Sequence, residues 1–266
     1  MIELARVEFR VHWAERAPER FLGRALNAWL YGEVARCDQR AADELHDAPG
    51  PRPFSAALVG EHDDLRLVLA GGPRVAPFLS DVADRTVRSG RILLDGHWLL
   101  VEGVAEAKTD TFADLLRRHL MRADRATPVR VDFLTPTAFH SRGRTMPLPI
   151  PDLVFGSLLE RWRAFGGHDL GEAAFDVVRD CAAIRRVRIR SLSVRMEGRF
   201  TAFIGSAEFT LVNPPPIYNG LLGALAAFAE YAGVGQKTAM GFGCVRAAPL
   251  RPTRPADRQE PPDQEG

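Results

Sequence analysis

The stretch "IYNGLLGALAAFAEYAGVGQKTAMGFGCVRAAPL" (residues 217–250) decides how this chain is to be read. Residues 217–232 form a helical run, and 242–250 read as a strand. Between them "GVGQKTAMGFG" (233–243) puts four glycines, a lysine and a threonine into eleven positions. That composition looks like a phosphate cradle, yet neither familiar cradle fits. A Walker A loop needs glycine directly before its lysine. Here Gln236 precedes Lys237, and the first glycine of the pattern would fall on Tyr231. The dinucleotide fingerprint breaks at Thr238, where its third glycine is due. Both of those loops leave a strand and enter a helix, so that the helix N-terminus meets the phosphate. This one leaves a helix and enters a strand. Two readings stand: a left-handed stop at Gly233 followed by a flexible turn, or a loop whose backbone receives an anion.

Working back from that stretch, the elements fall into two similar series. The second series opens with "VRVDFLTPTAF" (129–139), continues with the helix "PDLVFGSLLERWRAFG" (151–166), and has strands over 182–197 and 199–212 before the closing helix and strand. The first opens with an alternating strand over 2–13 and a long helical stretch from Pro18. Strands over 54–60 and 64–71 follow, separated by the turn "EHDD". A short helix over 73–84 leads to 91–106, which reads as a hairpin or one long bent strand. Each series is β-α-β-β-α-β, the split βαβ order of the ferredoxin-like fold. "ARVEF" (5–9) is echoed by "VRVDF" (129–133), each in a first strand. The expected class is therefore α+β, with two tandem ferredoxin-like domains over 1–122 and 127–250. The Pro-rich, charged tail 251–266 is expected to be disordered.

Composition limits the function without choosing it. With 46% apolar and 26% charged residues the chain is of the soluble globular type. The N-terminus lacks the pattern of a signal peptide and no run is long enough to span a membrane. Cys37, Cys181 and Cys244 are odd in number and far apart, which fits a reducing cytoplasm and neither a disulfide framework nor a zinc site. A net charge of +1 does not by itself announce a nucleic-acid binder. The only lysines are Lys108 and Lys237, however, and "IRRVRIR" (184–190) and "SRGR" (141–144) put arginines in local clusters. HExxH, a nucleophile-elbow serine and a carboxylate constellation are all missing, so no metal and no cofactor are expected.

Two ferredoxin-like halves with a glycine-rich loop between the last helix and last strand resemble the RAMP proteins of CRISPR systems. Within them the likeness is to the CRISPR repeat-processing endoribonucleases. "GVGQKTAMGFGCV" (233–245) looks like that family's C-terminal signature, and "FLTPTAFHSRGRTMPLPIPDLVFGSLLERW" (133–162) like the start of its second domain. The resemblance implies that the loop's anion is RNA. Gly233, Gly235, Gly241 and Gly243 would then let the backbone approach the sugar-phosphate chain, with Lys237, Thr238, His140 and Arg142 beside it. It implies metal-independent cleavage of CRISPR repeat RNA (pre-crRNA), in which the RNA's own 2′-hydroxyl attacks the adjacent phosphate. It further implies a monomer or homodimer, with a CRISPR effector complex as the receiver of the product. The alternative is a non-catalytic RAMP subunit that binds crRNA inside such a complex.

The cleavage chemistry needs proton-transfer groups and a cation, and histidine suits the proton transfers. Leu22, Leu26, Trp29, Leu30, Val34 and Cys37 recur at helical spacing as a buried stripe, and Tyr31 falls off it. In one straight helix His46 would lie about 22 Å from Tyr31. Asp38 offers a break, as the N-cap of a second short helix ending at His46. A fold-back there would bring Tyr31, His46 and the turn "PGPRPF" together, with Arg52 pre-set between two prolines. The family's tyrosine, histidine and basic residue match Tyr31, His46 and Arg52, with arginine where lysine is often seen. Read without the resemblance, His46 is a solvated histidine at a helix end and Tyr31 an amphipathic surface residue.

Overall fold

The first half begins with β1 (Leu4–Trp13), α1 (Gly23–Cys37), α2 (Gln39–Asp47), β2 (Phe54–Val59) and β3 (Arg66–Gly71). It ends with α3 (Leu79–Ser89), β4 (Arg91–Leu94), β5 (His97–Asp110) and the single turn α4 (Phe112–Leu115). The second half runs β6 (Val129–Thr137), β7 (Phe139–Ser141), β8 (Arg144–Met146), α5 (Pro151–Ala164), α6 (Glu172–Cys181), β9 (Ala182–Arg195), β10 (Arg199–Leu211), α7 (Leu221–Ala232) and β11 (Val245–Pro249). The structure is a computed structural model that describes residues 2–61, 64–121, 124–196 and 198–250. The tail expected to be disordered (251–266) and His62 of the "EHDD" turn lie outside those residues.

Both sheets have the split βαβ strand order. The first is β2-β3-β1-β5-β4, in which β4 is an added edge strand, and the second is β11-β6-β10-β9. Every paired strand is antiparallel. Local chemistry accounts for the boundaries. Asp38 caps α2 by accepting from the Ala41 amide at 3.1 Å, and Pro151 occupies the first turn of α5. Residues 91–106, read as a hairpin or a bent strand, form a hairpin. Asp95 and Gly96 both have positive φ, as a two-residue primed turn requires. The helix α6, the β7–β8 hairpin and the helical turns at 112–120 were not expected from the sequence. They are short elements inside stretches whose sequence reads as connections.

Each half has its own apolar core. In the second, Phe112, Trp162 and Phe228 pack ring against ring, with Phe112–Trp162 centroids 4.8 Å apart. Between the halves lies a polar seam on the face of β1 that points away from the first core. Arg6 donates to the Glu230 carbonyl at 2.7 Å and pairs with Glu8, while Arg246 reaches the same Glu8 carboxylate at 2.8 Å. Burial raises the Glu8 pKa, but the hydrogen bonds and charges of Arg6 and Arg246 outweigh it and hold the carboxyl below its ordinary value. Lys108 adds an ion pair to Glu230.

The glycine-rich loop is a tight joint. Gly243 has φ 64°, and a Cβ added there would stand 1.9 Å from the Val234 carbonyl oxygen. Val234 in turn donates its amide to the Gly243 carbonyl at 2.9 Å. Gly243→Ala is therefore expected to destabilise the protein by at least ~1–3 kcal/mol from backbone strain, before any clash is counted. Urea unfolding followed by circular dichroism measures this, and a wild-type midpoint would contradict the loop geometry.

Candidate functional site

A cleft of about 1150 Å³ opens between α1 and α2 on one side and α5, β7 and the glycine-rich loop on the other. Its wall in the first half is set by the break at Asp38. Because α2 folds back there, the rings of Tyr31 and His46 meet edge to face with centroids 5.9 Å apart. The Tyr31 ring also packs on Phe54, and its hydroxyl donates to the Leu45 carbonyl at 3.3 Å. Burial raises the Tyr31 pKa, with Arg52 opposing. Tyr31 thus stays a neutral hydrogen-bonding group near neutral pH and serves to seat α2. The His46 side chain is 76% exposed, its Nδ1 lying 3.3 Å from an Asp47 oxygen. Its ring is thereby open to a ligand in the cleft.

Arg52 lines the same cleft, but its guanidinium is committed to the end of α2. Nη1 lies 2.9–3.0 Å from the carbonyls of Leu45, His46 and Ala48. A cation on the last carbonyls of a helix meets the negative end of its dipole. The cation therefore fixes the backbone that carries His46.

On the opposite wall, His140, Gly235, Lys237 and Thr238 line the cleft. Lys237 is exposed, with φ 60°, and its ammonium stands 5.8 Å from the Phe200 ring centroid. Gly233, Gly241, Gly243 and Arg142 do not line it. These three glycines, expected to open the backbone to RNA, are required by their own surroundings in the protein. A Cβ at Gly233 would meet the Thr238 side chain at 2.7 Å, and one at Gly241 would meet Phe21 at 2.9 Å. Gly235 lines the cleft, yet a Cβ there would lie 2.4 Å from the Ala138 carbonyl. The amides of Val234, Gln236, Met240, Gly243 and Cys244 all donate to oxygens of the protein. These glycines let the loop fold onto its own chain, and the amides just named do not form a free anion nest. Arg142 sits with positive φ in the β7–β8 turn.

The cleft also contains residues that the sequence reading passed over. Arg24 and Asn27 lie seven and four residues before Tyr31 and share its face of α1. That spacing, applied outward from Tyr31, would have found them. Arg161 on α5 lines the opposite wall while occupying the apolar i, i+4, i+7 stripe of Val154 and Leu158. Among the described residues, no group of three or more His, Cys, Asp or Glu is placed to hold a metal ion, and no helix is long and apolar enough to cross a membrane.

Residues 131–245 match the family described as CRISPR-associated endoribonuclease Cas6. A Cas6 of Mycobacterium tuberculosis is 34% identical over 125 residues, which are 46% of this chain and 40% of that protein. A Cas6 of Streptococcus thermophilus is 26% identical over 137 residues, 50% of this chain and 56% of the other. The chain thus spans about half the length of the curated relatives it matches. Solved structures extend the likeness to nearly the whole chain. A product complex of Thermus thermophilus Cas6 has a TM-score of 0.75 at 26% identity, covering 94% of this chain and 100% of that one. A second Cas6 product complex has a TM-score of 0.74 at 25% identity, covering 92% and 99%.

The Arg52 contacts carry a prediction about local order. Arg52→Ala is expected to cost ~1 kcal/mol and to fray the last turn of α2. Hydrogen exchange at the amides of Leu45–Ala48 should accelerate roughly fivefold, as that energy implies. Unchanged exchange there would mean that another group holds the helix end.

Proposed function

We propose that this Cas6-like chain of the RAMP fold is a metal-independent endoribonuclease that cuts CRISPR repeat RNA into guide RNAs. The observation that carries the reading is the convergence of an exposed histidine, a half-buried tyrosine and several cations on one cleft, whose other wall is the glycine-rich loop. That cleft lies between the two ferredoxin-like units, for which we propose the limits 1–122 and 127–250.

In the reaction, a 2′-oxygen of the RNA attacks the adjacent phosphorus as its proton is removed. The P–O5′ bond breaks and the leaving oxygen takes up a proton. The products are a 2′,3′-cyclic phosphate and a 5′-hydroxyl. His46 is the proton-transfer group, because an imidazole exchanges a proton near neutral pH and its ring is open to the cleft. Tyr31 and Arg52 hold the α2 end on which His46 is mounted. Arg24 and Lys237 supply positive charge near the crowded phosphate. On the far wall His140, Gly235 and Thr238 meet the strand, with Lys237 taking a phosphate as a point charge. The partner is repeat RNA, and transfer of the product to an effector complex belongs to the same proposal.

A gel of end-labelled repeat RNA tests the reading. Cleavage is expected to persist in excess EDTA and to stop when a 2′-deoxy nucleotide stands just 5′ of the cut, although that RNA still binds. His46→Ala is expected to slow single-turnover cleavage by roughly 10²–10⁴-fold, with affinity kept within a few-fold. Cleavage of the deoxy RNA would rule out the 2′-hydroxyl route. Tight binding of repeat RNA without any cleavage would instead make the chain a crRNA-binding subunit.

A further inference from the structure

The least expected side chain in the cleft wall is Arg161. It is 7% exposed, in the last turn of α5, on the stripe that otherwise packs the second core. Arginine is seldom buried without a carboxylate partner, because removing the charge from water costs several kcal/mol. Arg161 has no ion pair with any carboxylate among the described residues. Its hydrogen bonds go to two main-chain oxygens, Gly235 at 2.7 Å from Nη2 and Ala232 at 3.5 Å from Nη1. Ala232 is the last residue of α7 and Gly235 lies in the loop, so the guanidinium joins the helix end to the glycine-rich turn. Those carbonyl dipoles offset only part of the charge. Burial lowers the Arg161 pKa to about 10, with the nearby Glu160 carboxylate opposing.

A helix could be joined to a loop more cheaply by a neutral donor such as glutamine or asparagine. The guanidinium also has more donors than its two carbonyl partners use. What remains of its surface faces the cleft, beside Gln236, Lys237 and His140.

We propose that Arg161 is a phosphate-binding residue of the RNA site: its guanidinium, held by the Ala232 and Gly235 carbonyls, takes one phosphodiester of the strand lying along the glycine-rich loop. The bound phosphate supplies the counter-charge that the protein withholds. Loop position and RNA affinity are thereby linked, since the same group that orients the Gly235 carbonyl also meets the ligand. A planar fork is better suited than an ammonium to bridge carbonyls and a phosphate together. The inference rests on the RNA-binding reading of the cleft.

Its test is a double-mutant cycle between the protein and the RNA. Binding of the 2′-deoxy-blocked repeat is measured for wild type and Arg161→Gln, with single phosphates replaced in turn by neutral methylphosphonates. One linkage is expected to cost wild type about tenfold in affinity and Arg161→Gln less than threefold, the signature of a direct pair. The slope of log K against log salt should also become shallower by about 0.7 in the variant, one single-strand phosphate contact. A purely loop-bracing arginine would weaken every RNA alike and leave the slope unchanged. That result, in a variant that unfolds cooperatively, overturns the proposal. Should Arg161→Gln fail to fold, the Arg161 Nε–Hε resonance of the wild-type protein carries the test. It is expected to shift on adding the blocked RNA and to lose that shift with the one neutral linkage, and an unmoved resonance would contradict the assignment. Absence of any RNA binding by wild type would remove the cleft's function itself, a separate failure.

Discussion

The close approach of the loop 233–243 to its own chain is the constraint on which the rest of the molecule depends. Gly243 leaves no room for a Cβ against the Val234 carbonyl, and Gly235 none against Ala138. Once the loop is closed in this way, its outer turn becomes a connector between the halves. Ala239 inserts into the apolar core of the first half, and Phe242 packs against both Phe21 and Phe200. Gly23, the first residue of α1, lies so close to Met240 that a Cβ would fall 1.9 Å from its carbonyl oxygen. The helix that carries Tyr31 is therefore docked on the loop that forms the other wall of the cleft. The width of the cleft is set by backbone contacts, which are stiffer than side-chain contacts.

Charge in the cleft is arranged around helix ends. Arg52 sits on the carbonyl end of α2 and Arg161 on that of α7, each where the backbone dipoles favour a cation. The first stiffens the mounting of an exposed histidine. The second is buried and forms no ion pair with a carboxylate among the described residues. On the far side of β1 the balance differs, because Arg6, Glu8, Arg246, Glu106, Lys108 and Glu230 pair among themselves. The seam is neutralised internally, whereas the cleft sets Arg24, Arg52, Arg161 and Lys237 beside Asp43, Asp152 and Glu160. The exposed arginines of the edge strand β9 (Arg185, Arg186 and Arg188) make a second basic region on the second half.

Much of this was legible in the sequence, for reasons that can be named. Alternation and helical spacing gave the order of elements, and the strand orders of both sheets agree with the split βαβ reading. The fold-back that joins Tyr31 to His46 followed from one residue, Asp38, with the spacing of an N-cap. The glycine loop was located correctly but explained only in part. Sequence shows that glycines are required and not which atoms crowd them, so close packing within the protein looked the same as close approach to RNA. Arg161 was missed because its helix reads as an apolar stripe, and a charge within such a stripe is visible only when the helix phase is drawn. Arg24 shares a helix face with Tyr31, but one arginine among many on an amphipathic helix carries no signal of its own.

The proposed path of the RNA runs through the cleft between α1–α2 and the glycine-rich loop. Photo-crosslinking tests it most directly. A 4-thiouridine is placed at the nucleotide 5′ of the cut in a 2′-deoxy-blocked repeat RNA, and the attached peptides are mapped by mass spectrometry. Adducts are expected within residues 24–52 and 233–243, from both walls of one cleft. Adducts confined to the β9 arginines, or to the face around Lys108 and Arg118, would place the reacting nucleotide elsewhere and contradict it.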